Sequence, residues 1–95
     1  MKTFNIAGRL GTTPELQSKG ETVWTNLRVV VNGPKNRSDW FWITAFGKLA
    51  EALCEHLERG GSVALSGELR VSTYNETEKV ELIAKEATFL GRKKS

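Results

Sequence analysis

Apolar side chains return at every second position along most of this chain, and a period of two is that of a half-buried strand. Phe4, Ile6, Gly8 and Leu10 share one parity while Asn5, Ala7 and Arg9 share the other. Leu27, Val29 and Val31 alternate with Asn26, Arg28 and Val30, and the run stops at Asn32-Gly33-Pro34, where Pro34 has no N–H to give a ladder. Between Ser38 and Phe46 the pattern is different. Phe41, Ile43 and Ala45 take one parity and Trp40, Trp42, Thr44 and Phe46 the other, so this strand is apolar on both faces. Val63, Leu65, Leu69 and Val71 alternate through Gly67, and after a turn at Asn75-Glu76-Thr77-Glu78 a last strand runs from Val80 to Leu90.

Only one segment changes period. From Gly47 to Arg59, Leu49, Ala50, Leu53 and Leu57 fall on one stripe of a helix, with Glu51 in its first turn and Gly60-Gly61 as a left-handed stop. The expected order is β-β-β-α-β-β. Five strands with one α-helix between strands 3 and 4 is the element order of the OB-fold, an all-β, five-stranded Greek-key barrel whose helix plugs one end. Gly67, at an inward parity in mid-strand, fits a barrel bend where a side chain would obstruct closure. An α+β sandwich is the other architecture this order allows.

With 95 residues, 39% of them hydrophobic and 26% charged, the chain reads as one small domain with a single core and little insulated space for a large cofactor. Residues 1–91 are expected to form the barrel and 92–95 a short basic tail. The single cysteine, Cys54, has no partner for an internal disulfide. The first residues, MKTFNIAGRL, lack a signal peptide's apolar run, and no stretch approaches the ~18 apolar residues of a membrane span. A reducing cytoplasm, with no membrane association, is the expected setting. Net charge is +3, and the excess falls in the first forty residues, where Lys2, Arg9, Lys19, Arg28, Lys35 and Arg37 outnumber Glu15, Glu21 and Asp39. That balance mildly favours polyanions.

The most informative run is Asp39-Trp40-Phe41-Trp42-Ile43-Thr44-Ala45-Phe46. If Phe41 and Ile43 face the core, Trp40, Trp42 and Phe46 project from the opposite side as a platform for unstacked bases. The same pattern is that of a two-sided buried strand or a subunit interface, and the two readings weigh about equally. Basic residues interleave with the rings: Lys35 and Arg37 before Trp40, Arg28 on the preceding strand, Lys48 just after Phe46, and Arg70 on the fourth strand. Arg9, on the outward parity of the first strand, joins them. Tyr74 shares Arg70's parity and extends the platform toward the hairpin tip. Trp24 shares the parity of Asn26 and Arg28, but its place near the strand's start favours a role capping the core.

Catalysis finds no constellation. His56 and Cys54 lie two apart on a helix and so on different faces, which leaves a metal short of ligands. Gly8-Arg9-Leu10-Gly11 has neither the glycine spacing nor the following helix of a phosphate loop. No enzyme and no cofactor are expected.

Together these segments resemble the bacterial single-stranded DNA-binding protein family over nearly the whole chain. NIAGRLGTTPEL (residues 5–16) is similar to the family's opening strand, Asn26-Leu27 and Val29 to Asn32 to its second, and Asp39-Trp40-Phe41 with Phe46-Gly47-Lys48-Leu49-Ala50-Glu51 to its strand-to-helix junction. Leu57 to Gly60, Gly67-Glu68-Leu69-Arg70 and Phe89-Leu90 follow in the family's order. The resemblance implies sequence-tolerant, non-catalytic binding of single-stranded DNA in replication, recombination or repair, by a homotetramer, with a homodimer as the smaller option. It implies stacking at Trp40, Phe46 and Tyr74 and basic contacts at Lys48 and Arg70. Trp42 stands where many relatives carry a basic or polar residue, so a third ring here trades a phosphate contact for stacking.

The chain stops at Arg92-Lys93-Lys94-Ser95, short of the acidic-tipped tail through which relatives recruit proteins, so tail-mediated partners are not expected. The competing readings are an OB-fold interaction subunit of a primosome-type complex, whose aromatic face binds protein, and an RNA-binding OB module, since stacking alone does not tell the sugars apart.

Overall fold

The computed structural model describes residues 1–91, and the expected basic tail, residues 92–95, lies outside them. The elements run β1 (Thr3–Leu10), β2 (Gln17–Lys19), β3 (Thr22–Asn32), a 3-10 turn (Pro34–Asn36), β4 (Ser38–Phe46), α1 (Gly47–His56), β5 (Ser62–Tyr74) and β6 (Thr77–Gly91). All strands belong to one sheet in the order β1-β5-β6-β4-β3-β2, and β1 also pairs with β3, which turns the sheet into a ring. This is the expected OB barrel, with α1 lying against β3, β4 and β6.

Six strands stand where five are expected, because Gln17-Ser18-Lys19 pairs with Thr22-Val23-Trp24 as a small hairpin. All three β2 residues are exposed, so no apolar alternation marks the strand. The helix therefore follows the fourth strand. It also ends three residues early: Leu57 is already extended, and its N–H makes the last helical bond to the Leu53 carbonyl. Gly60 adopts the left-handed conformation (φ 88°) beyond that end, where it turns the chain into β5 instead of capping α1. The first turn of α1 contains no acidic residue, since Glu51 falls beyond it.

The alternation read from sequence sorts most of the side chains as expected, the exceptions being Val71, Val80 and Leu90, which are exposed on β5 and β6. Leu27, Val29, Ile43, Leu53, Leu57, Val63 and Leu65 are essentially fully buried and form one core with Phe4, Leu10, Ala45, Ala50 and Ala84. Each large side chain among them contributes roughly 1.5–3 kcal/mol through burial. Thr25 is buried as well, and its hydroxyl donates to the Glu15 carbonyl oxygen (2.8 Å), tying the segment after β1 to the start of β3.

Ring closure depends on two short ladders. β1 meets β3 only at Arg9–Val30 and Leu10–Val29, and β4 meets β6, in parallel, only at Ile43–Leu82 and Thr44–Ile83. Backbone crowds backbone at the first of these, and again in the β5–β6 ladder beside the second. A methyl group on Gly8 would overlap the Val30 carbonyl oxygen, and one on Gly67 would overlap the Ile83 carbonyl oxygen and come within 2.9 Å of Ala84 Cα. Gly67 marks an irregularity in the β5–β6 ladder, where Ser66 pairs with Glu86 but Gly67 with Ala84. That is the sharp bend expected there.

Beyond this bend β5 and β6 continue as a two-stranded ribbon, exposed from Arg70 to Glu81. Tyr74 pairs with Thr77 across a two-residue turn, Asn75-Glu76, both with positive φ, which is the backbone of a type I′ hairpin. No helix among the described residues is long and apolar enough to cross a membrane.

Candidate nucleic-acid interface

β3 and β4 pair along nine consecutive positions, and their register decides what faces outward. The core takes Leu27 with Ile43 and Thr25 with Ala45. The alternate pairs, Trp24–Phe46, Asn26–Thr44, Arg28–Trp42 and Val30–Trp40, therefore share the outer face. Trp40, Trp42 and Phe46 are 51%, 53% and 47% exposed, which removes them from the core and excludes the two-sided buried strand. Trp24 is half-buried and lies directly across from Phe46. It is an outer-face ring, not the core cap that its position near the strand's start favours, and its parity with Arg28 was the signal that locates it.

The rings have definite geometry. Trp40 and Trp42 meet edge to face, with centroids 6.1 Å apart and planes at 88°. The Arg28 guanidinium stands 5.0 Å from the centre of the Trp40 ring, a cation–π contact. It forms no ion pair among the described residues. Between the two ring clusters the Thr44 hydroxyl donates to Asn26 Oδ1 (2.9 Å), placing a polar strip in the middle of the platform. Beside Thr44 in the parallel ladder, Ile83 is buried.

Arg9 joins this surface through the β1–β3 ladder. It is exposed and pairs with Val30, whose other neighbour is Trp40, so Arg9, Val30 and Trp40 form one row across three strands. Arg70 reaches the same face from the other side: Thr44 pairs with Ile83, Ile83 with Glu68, and Arg70 lies two residues beyond Glu68. Its Nε donates to Glu68 Oε1 at 2.7 Å. That hydrogen bond, reinforced by the charge attraction, raises the Arg70 pKa further and lowers that of the Glu68 carboxyl. Arg70 thus offers only part of its charge to an outside anion.

The remaining candidates flank the platform. Lys35 and Arg37 are exposed in the β3–β4 loop, which is fastened by the Gly33 N–H to the Arg37 carbonyl (2.7 Å) and by the Ser38 hydroxyl to Asn32 Oδ1 (2.9 Å). Lys48 is exposed at the start of α1, two residues past Phe46. Tyr74 keeps Arg70's parity but sits 73% exposed at the ribbon tip. The fold gathers Arg9, Arg28, Trp40, Trp42 and Phe46 with Trp24, sets Arg70 beside them, and leaves Lys35, Arg37, Lys48 and Tyr74 on the rim.

Elsewhere the surface carries less chemistry. His56 is exposed near Glu55 and tilts against the Phe89 ring at 5.8 Å, while Cys54 is half-buried. Among the described residues no three His, Cys, Asp or Glu side chains converge to hold a metal. An open groove of about 810 Å³ lies between the start of β1 and the β5–β6 bend, lined by Phe4, Asn5, Ser66, Gly67, Lys85 and Glu86 among others. Of the candidate residues it holds none.

A closed OB barrel with half-exposed indoles and cations on one outer face defines the class: an OB-fold protein with a solvent-facing aromatic and basic surface, not a buried site. Residues 1–90 match the model of the Single-strand binding protein family, and the chain belongs to that family. It is 28% identical to single-stranded DNA-binding protein 1 of Clostridium acetobutylicum over 99% of this chain and 97% of that protein. It is 33% identical to the single-stranded DNA-binding protein of Neisseria meningitidis serogroup A over 90% of this chain but only 58% of the relative. Against single-stranded DNA-binding protein 1 of Xylella fastidiosa it is 25% identical, covering 79% of that protein.

Proposed function

We propose that this chain is a non-catalytic binder and protector of single-stranded DNA, largely indifferent to sequence, acting in replication, recombination or repair. The observation that carries the reading is the outer face of β3 and β4, where half-exposed Trp40 and Trp42 flank an arginine with no carboxylate partner among the described residues. Every base has a flat apolar face, and stacking one on an aromatic side chain contributes about 1–3 kcal/mol whatever its identity. Trp40, Trp42 and Phe46 take bases along the platform and Tyr74 extends the path to the ribbon tip. Arg9, Arg28, Lys35, Arg37, Lys48 and Arg70 contact the phosphates. The names of the relatives support DNA as the polymer.

The working form in this reading is a homotetramer, or a homodimer, acting in the cytoplasm on nucleoid DNA. Supporting an assembly of copies, β1 has a partner strand on one side only from Thr3 to Gly8, because its pairing with β3 begins at Arg9. An open edge of that kind accepts a strand from another chain.

Tryptophan fluorescence during titration with oligo-dT, at low and high salt and with duplex DNA as control, tests the binding. Saturable quenching by the single strand, with little response to the duplex, is the expected result. No quenching and no binding would make the aromatic face a protein-binding surface instead.

A further inference from the structure

Resting on the single-strand reading above, we infer that Arg28 is a positioning residue for the base stack, seated between the backbone of Gly11 and the face of Trp40. Three observations define the seat. The guanidinium carbon is 5.0 Å from the Trp40 ring centre, although the residue across the ladder from Arg28 is Trp42. Arg28 therefore reaches diagonally to the second ring along, and Trp42 meets that ring edge to face. On the other side, a Cβ added to Gly11 would stand 3.1 Å from Arg28 Nη1, 3.3 Å from Val30 Cγ2 and 3.5 Å from Arg28 Cδ, so the arginine side chain runs close alongside the bare glycine. The Gly11 N–H donates to the Arg28 carbonyl oxygen at 2.8 Å, which fixes that stretch of backbone alongside β3.

A guanidinium is a flat cation. It covers an indole face with its plane while its N–H edge stays free for an anion. Seated in this way, Arg28 stands over the Trp40 ring, which remains about half exposed (51%) for a base. The free edge then serves the phosphate that links the base on Trp40 to the base on Trp42. Holding the ring in place before DNA arrives removes an ordering cost from binding. A lysine keeps the charge but not the plane, and so separates the two roles.

The test uses fluorescence anisotropy of a labelled dT oligomer over a salt series with the intact protein, Arg28→Lys, Arg28→Gln and Gly11→Ala, and thermal unfolding of each. Arg28→Lys is expected to keep the salt slope and lose roughly two- to fivefold in affinity, the size of an exposed cation–π contact. Arg28→Gln should lose more, and its slope should fall by about 0.7 log units per log unit of salt. Gly11→Ala, whose methyl group presses on Arg28 Nη1 and on Val30 Cγ2 without touching the charge, should lose less affinity than Arg28→Lys and keep the salt slope. In a Trp40→Ala background, Arg28→Lys should cost nothing further. An Arg28→Lys protein that binds as tightly as the parent overturns the proposal, and so does an unchanged slope in Arg28→Gln. A parent that does not bind the oligomer at all overturns the single-strand reading itself.

Discussion

Replacing Trp40 by alanine separates the cost to folding from the cost to binding. In the free protein the ring is 51% exposed, and its defined interactions are the edge-to-face contact with Trp42 and the Arg28 guanidinium above it. The first is worth about 0.5–1.5 kcal/mol and the second about 0.5–1 kcal/mol, so truncation should lower stability by roughly 1–2.5 kcal/mol, to which the lost burial of the covered half of the ring adds. A small domain with the usual stability of about 5–15 kcal/mol stays folded after that loss. Binding loses one stacked base, about 1–3 kcal/mol, which is roughly 5- to 150-fold in affinity. The salt slope should hardly move, because no charge is removed. Urea unfolding and anisotropy of a labelled dT oligomer, run on the same preparation, measure the two effects. A variant that still unfolds cooperatively and whose affinity stays within about twofold of the parent would refute stacking at this position.

Four other substitutions probe the frame and its charges. Gly67→Ala drives a methyl group into the Ile83 carbonyl oxygen where β5 bends, and because the obstacle is backbone the loss should exceed the roughly 1–3 kcal/mol of ordinary overpacking, read as loss of a cooperative thermal transition. Glu68→Gln releases Arg70 from its 2.7 Å partner, so oligo-dT affinity and its salt slope should both rise. The same pair sets a pH effect. Arg70 lowers the Glu68 pKa, so its contribution is present above the ordinary carboxylate pKa and is lost as pH falls through the lowered value; acid titration followed by NMR at Glu68 should show the low midpoint move up in Arg70→Gln. Glu76→Gly relieves a non-glycine residue held at φ 64° in the ribbon turn, and urea unfolding should show a gain of about 1 kcal/mol.

Much of this was legible in the order of the residues. A period of two sends Leu27, Val29, Ile43, Val63 and Leu65 inward whatever the details of pairing, because neighbours on a strand point to opposite faces. The same rule put Trp40, Trp42 and Phe46 on one side. Where the pattern carried no apolar signal it was blind: the exposed hairpin strand Gln17–Lys19 has no side chain to bury, and α1 stops at His56 although helical spacing continues to Leu57, which is buried in extended form.

Parity alone left open whether the tryptophan face was solvent or interior, and whether Trp24 belonged to it. Those points depend on register, a relation between segments distant in the chain. Only the pairing of Trp24 with Phe46, Arg28 with Trp42 and Arg9 with Val30 brings three strands' side chains into one surface. The local sequence thus determined which face each side chain takes, since alternation is a property of a single strand. The tertiary structure decided which faces became neighbours, because ring closure through the β1–β3 and β4–β6 ladders, with close backbone approaches at Gly8 and Gly67, sets how the strands meet.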